Sequence, residues 1–135
     1  MAKYLVMAVL LAAGSLSCLA QESKEYAACN QKAVAQPDLN ACAREEAARV
    51  DAELNQVYAQ LLKAAKDDPD AVAKIKAAEK AWVVYRDAYL EAMYPAKDKQ
   101  AEYGSEYLME VSLLTAKLTR RQIEALKGLL QQYSS

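Results

Sequence analysis

The chain has 135 residues, with 17 basic and 18 acidic side chains, no histidine, and only three glycines and three prolines. This length fits one domain with a modest hydrophobic core. The balanced charge offers no basic face for nucleic acid, so we expect no nucleic-acid partner. The scarcity of glycine and proline favours helices.

The first twenty residues have the layout of a secretory signal peptide. MAKYLVMAVLLAAGSLSCLA carries Lys3 near its start, an apolar run over residues 4–13 and the small residue Ala20 at its end. The apolar run is too short to span a bilayer. We therefore expect residues 1–20 to be removed and residues 21–135 to form the mature domain, periplasmic or secreted and not transmembrane.

The cysteines have different expected roles. Cys18 would carry a lipid anchor only in a lipoprotein, whose signal usually has an aliphatic residue where Ser15 stands. Cys29 and Cys42 remain in the mature chain, and a pair in an oxidising compartment is most simply a disulfide, which stabilises by about 3 kcal/mol. A zinc site is the rival interpretation, but two thiolates without histidine do not close one. We expect neither a metal nor another cofactor.

Periodicity predicts a short helix and then a first long helix. Residues 22–35 should form the short helix, which Cys29 would tie to a long helix that begins near Asp38. The turn DDPD, residues 67–70, should end the long helix. Its apolar residues recur at the three-four spacing of one buried stripe: Leu39, Ala43, Ala47, Val50, Leu54, Val57, Leu61 and Ala65.

A second long helix is predicted after that turn. Asp68 can cap it, with Pro69 at its first position, and it should stop before Pro95. The short turn makes the two long helices antiparallel. Aromatic residues at helical spacing are expected in a core, and the predicted stripe consists of Val72, Ile75, Ala78, Trp82, Tyr85, Tyr89 and Met93.

A loop over residues 95–105 and a third long helix from about Ser105 complete the chain. A break at Thr119 is an alternative, because T-x-x-Q can cap a new helix. The apolar stripe of this helix comprises Leu108, Val111, Leu114 or Thr115, Leu118, Ala125 and Leu129. The sequence therefore predicts an all-α fold: a small bundle of three long antiparallel helices with a short, disulfide-tied helix at the N-terminus.

Arg86 lies one turn from Trp82, beside the predicted core, and needs a partner for its charge. The antiparallel first helix offers Asp51, with Asn55 nearby. We expect Arg86 to pair with Asp51, whereas Asp87 should face away from the stripe.

Five short motifs occur in order behind the signal peptide. They are Cys29; Gln36, Asn40 and Cys42; Asp51, Glu53, Leu54, Asn55 and Tyr58; Trp82, Tyr85, Arg86 and Asp87; and Leu118, Thr119 and Arg120. From about Tyr26 to Leu126 the chain thereby resembles the secreted domain of the lysozyme inhibitor LprI family. Many members of that family have a second cysteine pair, which by spacing would fall at Leu90 and Leu114, so that an apolar contact would replace it here.

The resemblance implies a non-catalytic binding protein with a protein partner, lysozyme. An inhibitor of a basic enzyme is expected to present acidic and aromatic groups. The stretch from Tyr94 to Tyr107, which includes the predicted loop, supplies both, and the candidate partner-binding residues are Tyr94, Glu102, Tyr103 and Tyr107. The alternative is a connector whose tyrosines fold back on the bundle. The oligomeric state is left open.

An enzyme is the hypothesis from another class. Nucleophilic catalysis needs a nucleophile beside a base, but histidine is absent and the cysteines are expected to be paired. The carboxylate pairs Glu45 with Glu46 and Asp67 with Asp68 are interpreted as surface charge and turn capping. No mechanism can be assembled from these residues. A structural or stress-related role in the cell envelope is the third hypothesis, which the sequence does not separate from binding.

Overall fold

Five helices and no strand make up residues 22–134, the part of the chain that the computed structural model describes. The helices are α1 (Lys24–Lys32), α2 (Gln36–Ala64), α3 (Pro69–Met93), α4 (Lys99–Tyr103) and α5 (Tyr107–Tyr133). The predicted all-α fold is confirmed, including the short first helix. The expected signal peptide and Cys18 lie outside the described residues.

Aspartate side chains form hydrogen bonds at the N-terminal ends of α2 and α3. The side chain of Asp38 accepts hydrogen bonds from the backbone N–H groups of Val34 and of Ala35, both at 3.1 Å. Asp68 accepts from the N–H of Ala71 at 2.9 Å, and Pro69 occupies the first position of α3. These bonds satisfy backbone donors that a helix start leaves without a partner. The DDPD turn thus separates α2 from α3 as predicted.

Helices α2 and α5 form the closest pair and run parallel to each other. Near their starts, the Asn40 amide donates to the carbonyl of Ser105 at 3.0 Å. Further along, Lys127 of α5 lies 3.2 Å from the carboxylate of Glu53 of α2. Because α3 is the return segment between them, it runs antiparallel to α5, with Gln122 donating to Glu79 at 2.8 Å.

The main core lies between α2, the start of α3 and the second half of α5. Ala43 of α2 and Ala116 of α5 are fully buried, and such small side chains let two helices approach closely. The predicted stripe of α2 is confirmed, since its residues are buried or half-buried. The core cluster comprises Val50, Leu54, Val57, Leu61, Ala65, Ala71, Ile75, Ala116, Ile123 and Leu126.

A smaller cluster surrounds the disulfide. Cys29 of α1 and Cys42 of α2 are bonded, with their Cα atoms 5.7 Å apart, which confirms the predicted bridge. Tyr26 of α1 is buried beside Cys42 and Ala43. The bridge and this aromatic ring together hold the nine-residue helix α1 against α2.

The predicted core stripe of α3 is wrong over its second half. Tyr85, Tyr89 and Met93 are 57%, 36% and 50% exposed, and Ala78 is exposed as well. Trp82 does pack against the core, although it is only partly buried.

The inward face of α3 instead follows Ile75, Glu79, Trp82, Arg86 and Leu90, which are buried or half-buried. Residues at this spacing point in a direction around the helix axis that differs from that of the predicted stripe. Both neighbouring faces carry apolar residues, so periodicity alone could not choose between them. The antiparallel register sets Leu90 level with Leu114, and both are half-buried.

Helix α5 is continuous, so the alternative break at Thr119 does not occur. Two residues of its predicted stripe, Leu108 and Ala125, are exposed, whereas Ile123 and Leu126 are buried without having been predicted. Since α5 touches α2 along its length and α3 along part of it, a broader face is covered than one stripe describes.

Leu61 and Tyr85 give a matched test of this core. Leu61 is fully buried, so Leu61→Ala should lower the free energy of unfolding by about 2 to 5 kcal/mol. Tyr85→Ala should change it by under about 1 kcal/mol because the ring is exposed. Urea denaturation at low protein concentration measures both. An equal loss in the two variants would contradict the assignment of the α3 face.

Candidate functional site

Glu46 is a fully buried carboxylate that joins three helices. Its Oε1 accepts from the backbone N–H of Ser23 at 3.0 Å, and Oε2 accepts from the Ser23 hydroxyl and from Nη2 of Arg49, the latter at 2.9 Å. Arg120 of α5 also donates to Oε1. We call these four residues the Glu46 cluster. It connects the residue that caps α1 to α2 and α5.

The surroundings of Glu46 keep it ionised. Burial raises the pKa of a carboxyl group. Here the hydrogen bonds from Ser23 and Arg49 and the positive charge of Arg120 outweigh burial, so that the pKa of Glu46 lies below its usual value. An ionised glutamate at neutral pH is therefore the stable partner of two arginines.

The interpretation of Glu46 as surface charge is wrong. Glu45 does lie on the surface, 3.9 Å from Arg49, but Glu46 faces the other way, into the contact between α2 and α5. The signal was present in the sequence, since Glu46 falls one turn beyond Cys42 and one turn before Val50, on the buried stripe. Because the carboxylate is enclosed, it holds helices together and does not meet a substrate.

Gln36 and Asn40 of the second motif fix the start of α5. The Gln36 amide donates to Oδ1 of Asn40 at 2.9 Å, and the Asn40 amide donates in turn to the carbonyl of Ser105. Asn40 is buried, so these bonds satisfy an amide that water does not reach. The motif thereby anchors the loop before α5 to the first turns of α2.

The expected pair between Arg86 and Asp51 does not form. Arg86 lies over the Trp82 ring, 5.2 Å from its centroid, and its Nη2 is 2.8 Å from the carboxylate of Asp87. Asp51 instead accepts a hydrogen bond from Asn55 at 3.2 Å, and both are exposed on α2. Asp51 lies on the exposed side of α2, whereas Arg86 lies on the half-buried side of α3.

Two other motif residues take part in packing. Tyr58 is half-buried against the main core, and burial, followed by the nearby charge of Glu79, raises the pKa of its hydroxyl. Thr119 is buried, and its hydroxyl donates to the carbonyl of Thr115 at 2.8 Å. Most of the motif residues are therefore explained by the fold.

Three tyrosines of the predicted loop pack against one another. The ring centroids of Tyr94 and Tyr103 are 5.3 Å apart, those of Tyr94 and Tyr107 are 5.1 Å apart, and those of Tyr103 and Tyr107 are 5.9 Å apart. We call them the tyrosine cluster. All three are half-buried, and the hydroxyl of Tyr103 accepts from the N–H of Ala96 at 3.1 Å. The structure brings these candidate residues together on one side of the loop.

Lys99 holds the backbone of Tyr94 and Ala96 in place. Its Nζ donates to the carbonyls of Tyr94 at 2.7 Å and Ala96 at 3.3 Å and to the carboxylate of Glu91 at 2.8 Å. The hydrogen bond with Glu91 raises the pKa of Lys99 above its usual value. A cation at the C-terminal end of α3 also complements the helix dipole. The segment predicted as a loop, residues 95–105, therefore contains the short helix α4 (Lys99–Tyr103), and the loop prediction is wrong over those five residues.

Exposed carboxylates border the tyrosine cluster. Glu102 and Glu106 are exposed on either side of Gly104, whose φ of 77° is the left-handed conformation that glycine adopts readily. Glu110 is exposed too and accepts a hydrogen bond from the Tyr94 hydroxyl at 3.4 Å. This surface therefore combines half-exposed aromatic rings with negative charge. We call it the tyrosine-carboxylate surface.

Residues 22–134 contain neither a metal-binding group of side chains nor a membrane-spanning helix. This part of the chain holds no group of three or more histidine, cysteine, aspartate or glutamate side chains placed to bind a metal ion. No helix in the same range has the length and apolar character needed to cross a membrane. Two surfaces carry exposed or half-exposed aromatic side chains: the tyrosine-carboxylate surface and the exposed side of α3.

A disulfide-tied helical bundle with an acidic, tyrosine-bearing loop is the class of protein that these features define. Residues 27–126 match the family described as lysozyme inhibitor LprI, and the chain belongs to this family. An uncharacterised protein of Rhizobium meliloti (strain 1021) is 36% identical over 113 residues, which cover 75% of this chain and 78% of that protein. No solved structure matches the chain.

Arg120 and Arg86 should differ in their contribution to stability. Arg120→Ala removes a partner of a buried charge, which typically costs about 3 kcal/mol or more. Arg86→Ala removes the pair with exposed Asp87 and the contact over the Trp82 ring, which together should cost about 1 to 2 kcal/mol, less than the loss of Arg120. Thermal unfolding followed by circular dichroism measures both, and a larger loss for Arg86→Ala would contradict the cluster's role.

The depressed pKa of Glu46 predicts how stability depends on pH. Its contribution is complete above the usual pKa of a glutamic acid, about 4.3, and is lost as the pH falls through the lower pKa of the folded state. Glu46→Gln should therefore be much less stable than the natural protein at pH 7, and the difference should shrink as the pH falls through the pKa of Glu46 in the folded protein.

Denaturant midpoints measured from neutral to acid pH check this expectation. Glu45→Gln is the matched control, because Glu45 is largely exposed and should shift the curve little at any pH. A stability difference between Glu46→Gln and the natural protein that stays constant with pH would refute it.

Proposed function

We propose that this chain is a non-catalytic, secreted binding protein of the bacterial envelope and that its partner is lysozyme. The proposal is supported by membership of the lysozyme inhibitor LprI family and by the charge of one surface. The observation that carries it is the tyrosine-carboxylate surface, where Glu102 and Glu106 flank the tyrosine cluster. Candidate contact residues remain Tyr94, Glu102, Tyr103 and Tyr107.

The order of this loop favours binding. Tyrosine rings that are already fixed by mutual packing lose little conformational freedom when a partner covers them. Lys99 and the Tyr103 hydroxyl hold the backbone of Tyr94 and Ala96 beside the cluster. The surface can therefore present aromatic area in a single arrangement, as an inhibitor of a folded enzyme requires.

The negative charge of this surface favours a basic protein as its partner. Exposed carboxylates attract a basic protein, raise the rate of association and disfavour acidic competitors. Lysozyme is a basic protein, so the sign is complementary. The side chains of Glu102 and Glu106 are exposed and hydrated in the free protein. At the rim of a contact they can pair with cations of the partner.

Secretion and the absence of catalysis belong to the same proposal. The bond between Cys29 and Cys42 suits an oxidising compartment, as does the expected leader over residues 1–20. The buried acid, Glu46, is already bound by two arginines and is not available to transfer protons.

The first test is a lysozyme activity assay with the mature chain in excess. We expect inhibition that weakens as salt is added, because exposed charges are screened. The absence of inhibition at every ratio would remove lysozyme as the partner and leave the alternative, a structural or stress-related role in the envelope.

A charge reversal locates the surface. Glu102→Lys should weaken lysozyme binding about fivefold, equivalent to roughly 1 kcal/mol, and should flatten its dependence on ionic strength. Glu25→Lys is the matched control, because Glu25 is exposed on α1, outside the stretch from Tyr94 to Tyr107. Isothermal titration calorimetry at two salt concentrations distinguishes them. Equal effects of the two reversals would place the contact elsewhere.

A further inference from the structure

Two lysines lie in the stretch from Tyr94 to Tyr107, and their charges are used differently. The Nζ of Lys99 is bound within the protein, by the carboxylate of Glu91 and by two backbone carbonyls. The side chain of Lys97 is exposed, and the ion pairs among residues 22–134 do not include it. Lys97 therefore has a charge that a partner can use.

The backbone next to Lys97 is fixed on both sides. Lys97 lies at the corner between α3 and α4. Before it, the N–H of Ala96 donates to the Tyr103 hydroxyl at 3.1 Å. After it, the side chain of Asp98 accepts from the N–H of Ala101 at 3.0 Å and so caps α4. The corner thus holds a long, exposed cation on an ordered backbone.

The corner is continuous with the tyrosine-carboxylate surface. An open, shallow depression joins them, and its lining consists of Lys97, Asp98, Lys99, Gln100, Tyr107 and Leu108. Tyr107 is a member of the tyrosine cluster, whose border includes the exposed side chains of Glu102 and Glu106. A partner that covers the tyrosine cluster therefore also meets Lys97.

A cation on an acidic surface restricts which part of a basic partner can face it. The carboxylates of the surface attract a basic protein, but Lys97 is repelled by that protein except where it carries negative charge. The substrate cleft of lysozyme is such a place. Retaining glycosidases, of which lysozyme is one, hold two carboxyl groups about 5 to 5.5 Å apart in the cleft. An ammonium group between them can donate hydrogen bonds to both.

We propose that Lys97 enters the substrate cleft of lysozyme and pairs with the two catalytic carboxyl groups. This inference rests on the function proposed above and names the part of the partner that the surface recognises. The tyrosine cluster then covers the edge of the cleft, and Glu102 and Glu106 meet cations outside it. Because the backbone beside Lys97 is already fixed, insertion orders little more than one side chain. The saccharide substrate is excluded, so inhibition is competitive.

Removing the charge of Lys97 tests its role. Lys97→Gln should raise the inhibition constant about tenfold, at the lower end of the couplings measured between close charges across protein interfaces. Lys97→Arg keeps the charge and should retain most of the inhibition. Lys66→Gln is the matched control, because Lys66 is exposed in the turn after α2, at the opposite end of that helix from Asn40, which contacts Ser105. The melting temperatures should stay unchanged, since both lysines are exposed.

A double-mutant cycle identifies the group that Lys97 meets. Isothermal titration calorimetry compares the natural mature chain with Lys97→Gln, each against natural lysozyme and against a lysozyme whose nucleophilic carboxylate is replaced by an amide. Lys97→Gln should weaken binding about tenfold with natural lysozyme and under about threefold with the amide variant, because the charge it pairs with is already gone. An oligosaccharide that fills the cleft should compete with the natural chain.

The results separate this inference from the proposed function. Equal effects of Lys97→Gln on the two lysozymes, an equal loss in Lys66→Gln, or binding that the oligosaccharide leaves unchanged would overturn the role of Lys97 and keep lysozyme as the partner. A natural chain that neither binds nor inhibits lysozyme would overturn both.

Discussion

The position of three helices depends on the buried carboxylate of Glu46. A buried charge without partners destabilises a fold severely, so the helices that supply the partners must stay where they are. Arg120 comes from α5, Arg49 from α2 itself, and Ser23 from the residue that caps α1. The disulfide between Cys29 and Cys42 also ties α1 to α2. Together they set one arrangement of α1, α2 and α5.

Most polar and apolar contacts of the bundle lie between α2 and α5, so a surface for binding a partner is expected on α3 and the segment after it. The parallel pair α2 and α5 takes up Asn40, Glu46 and most of the apolar stripes. Helix α3 must return the chain over the length of that pair, yet only its first turns are buried in the core. Its second half and the following loop are then free to carry aromatic and charged groups at the surface.

Aromatic residues show how far the candidate site could be predicted. The loop tyrosines stand beside a proline, a glycine and several acids, and this composition indicates a surface segment that can bind a partner. The structure gathers Tyr94, Tyr103 and Tyr107 into one cluster. The reverse holds for Tyr85 and Tyr89, which were predicted in the core and lie on the surface. Helical spacing gives the relative angle of residues on one helix. It does not give the direction in which the helix faces.

The sequence by itself determined what is local or covalent: the helices and their ends at Asp68 and Pro95, the stripe of α2, the bond between Cys29 and Cys42, and the family to which the chain belongs. Tertiary structure decided every pairing between distant segments. It buried Glu46 against Arg120 and left Arg86 with its neighbour Asp87, because the rotation of each helix is set by how the large and small side chains of all three long helices fit together. That fit is a property of the assembled bundle, and no single periodic pattern contains it.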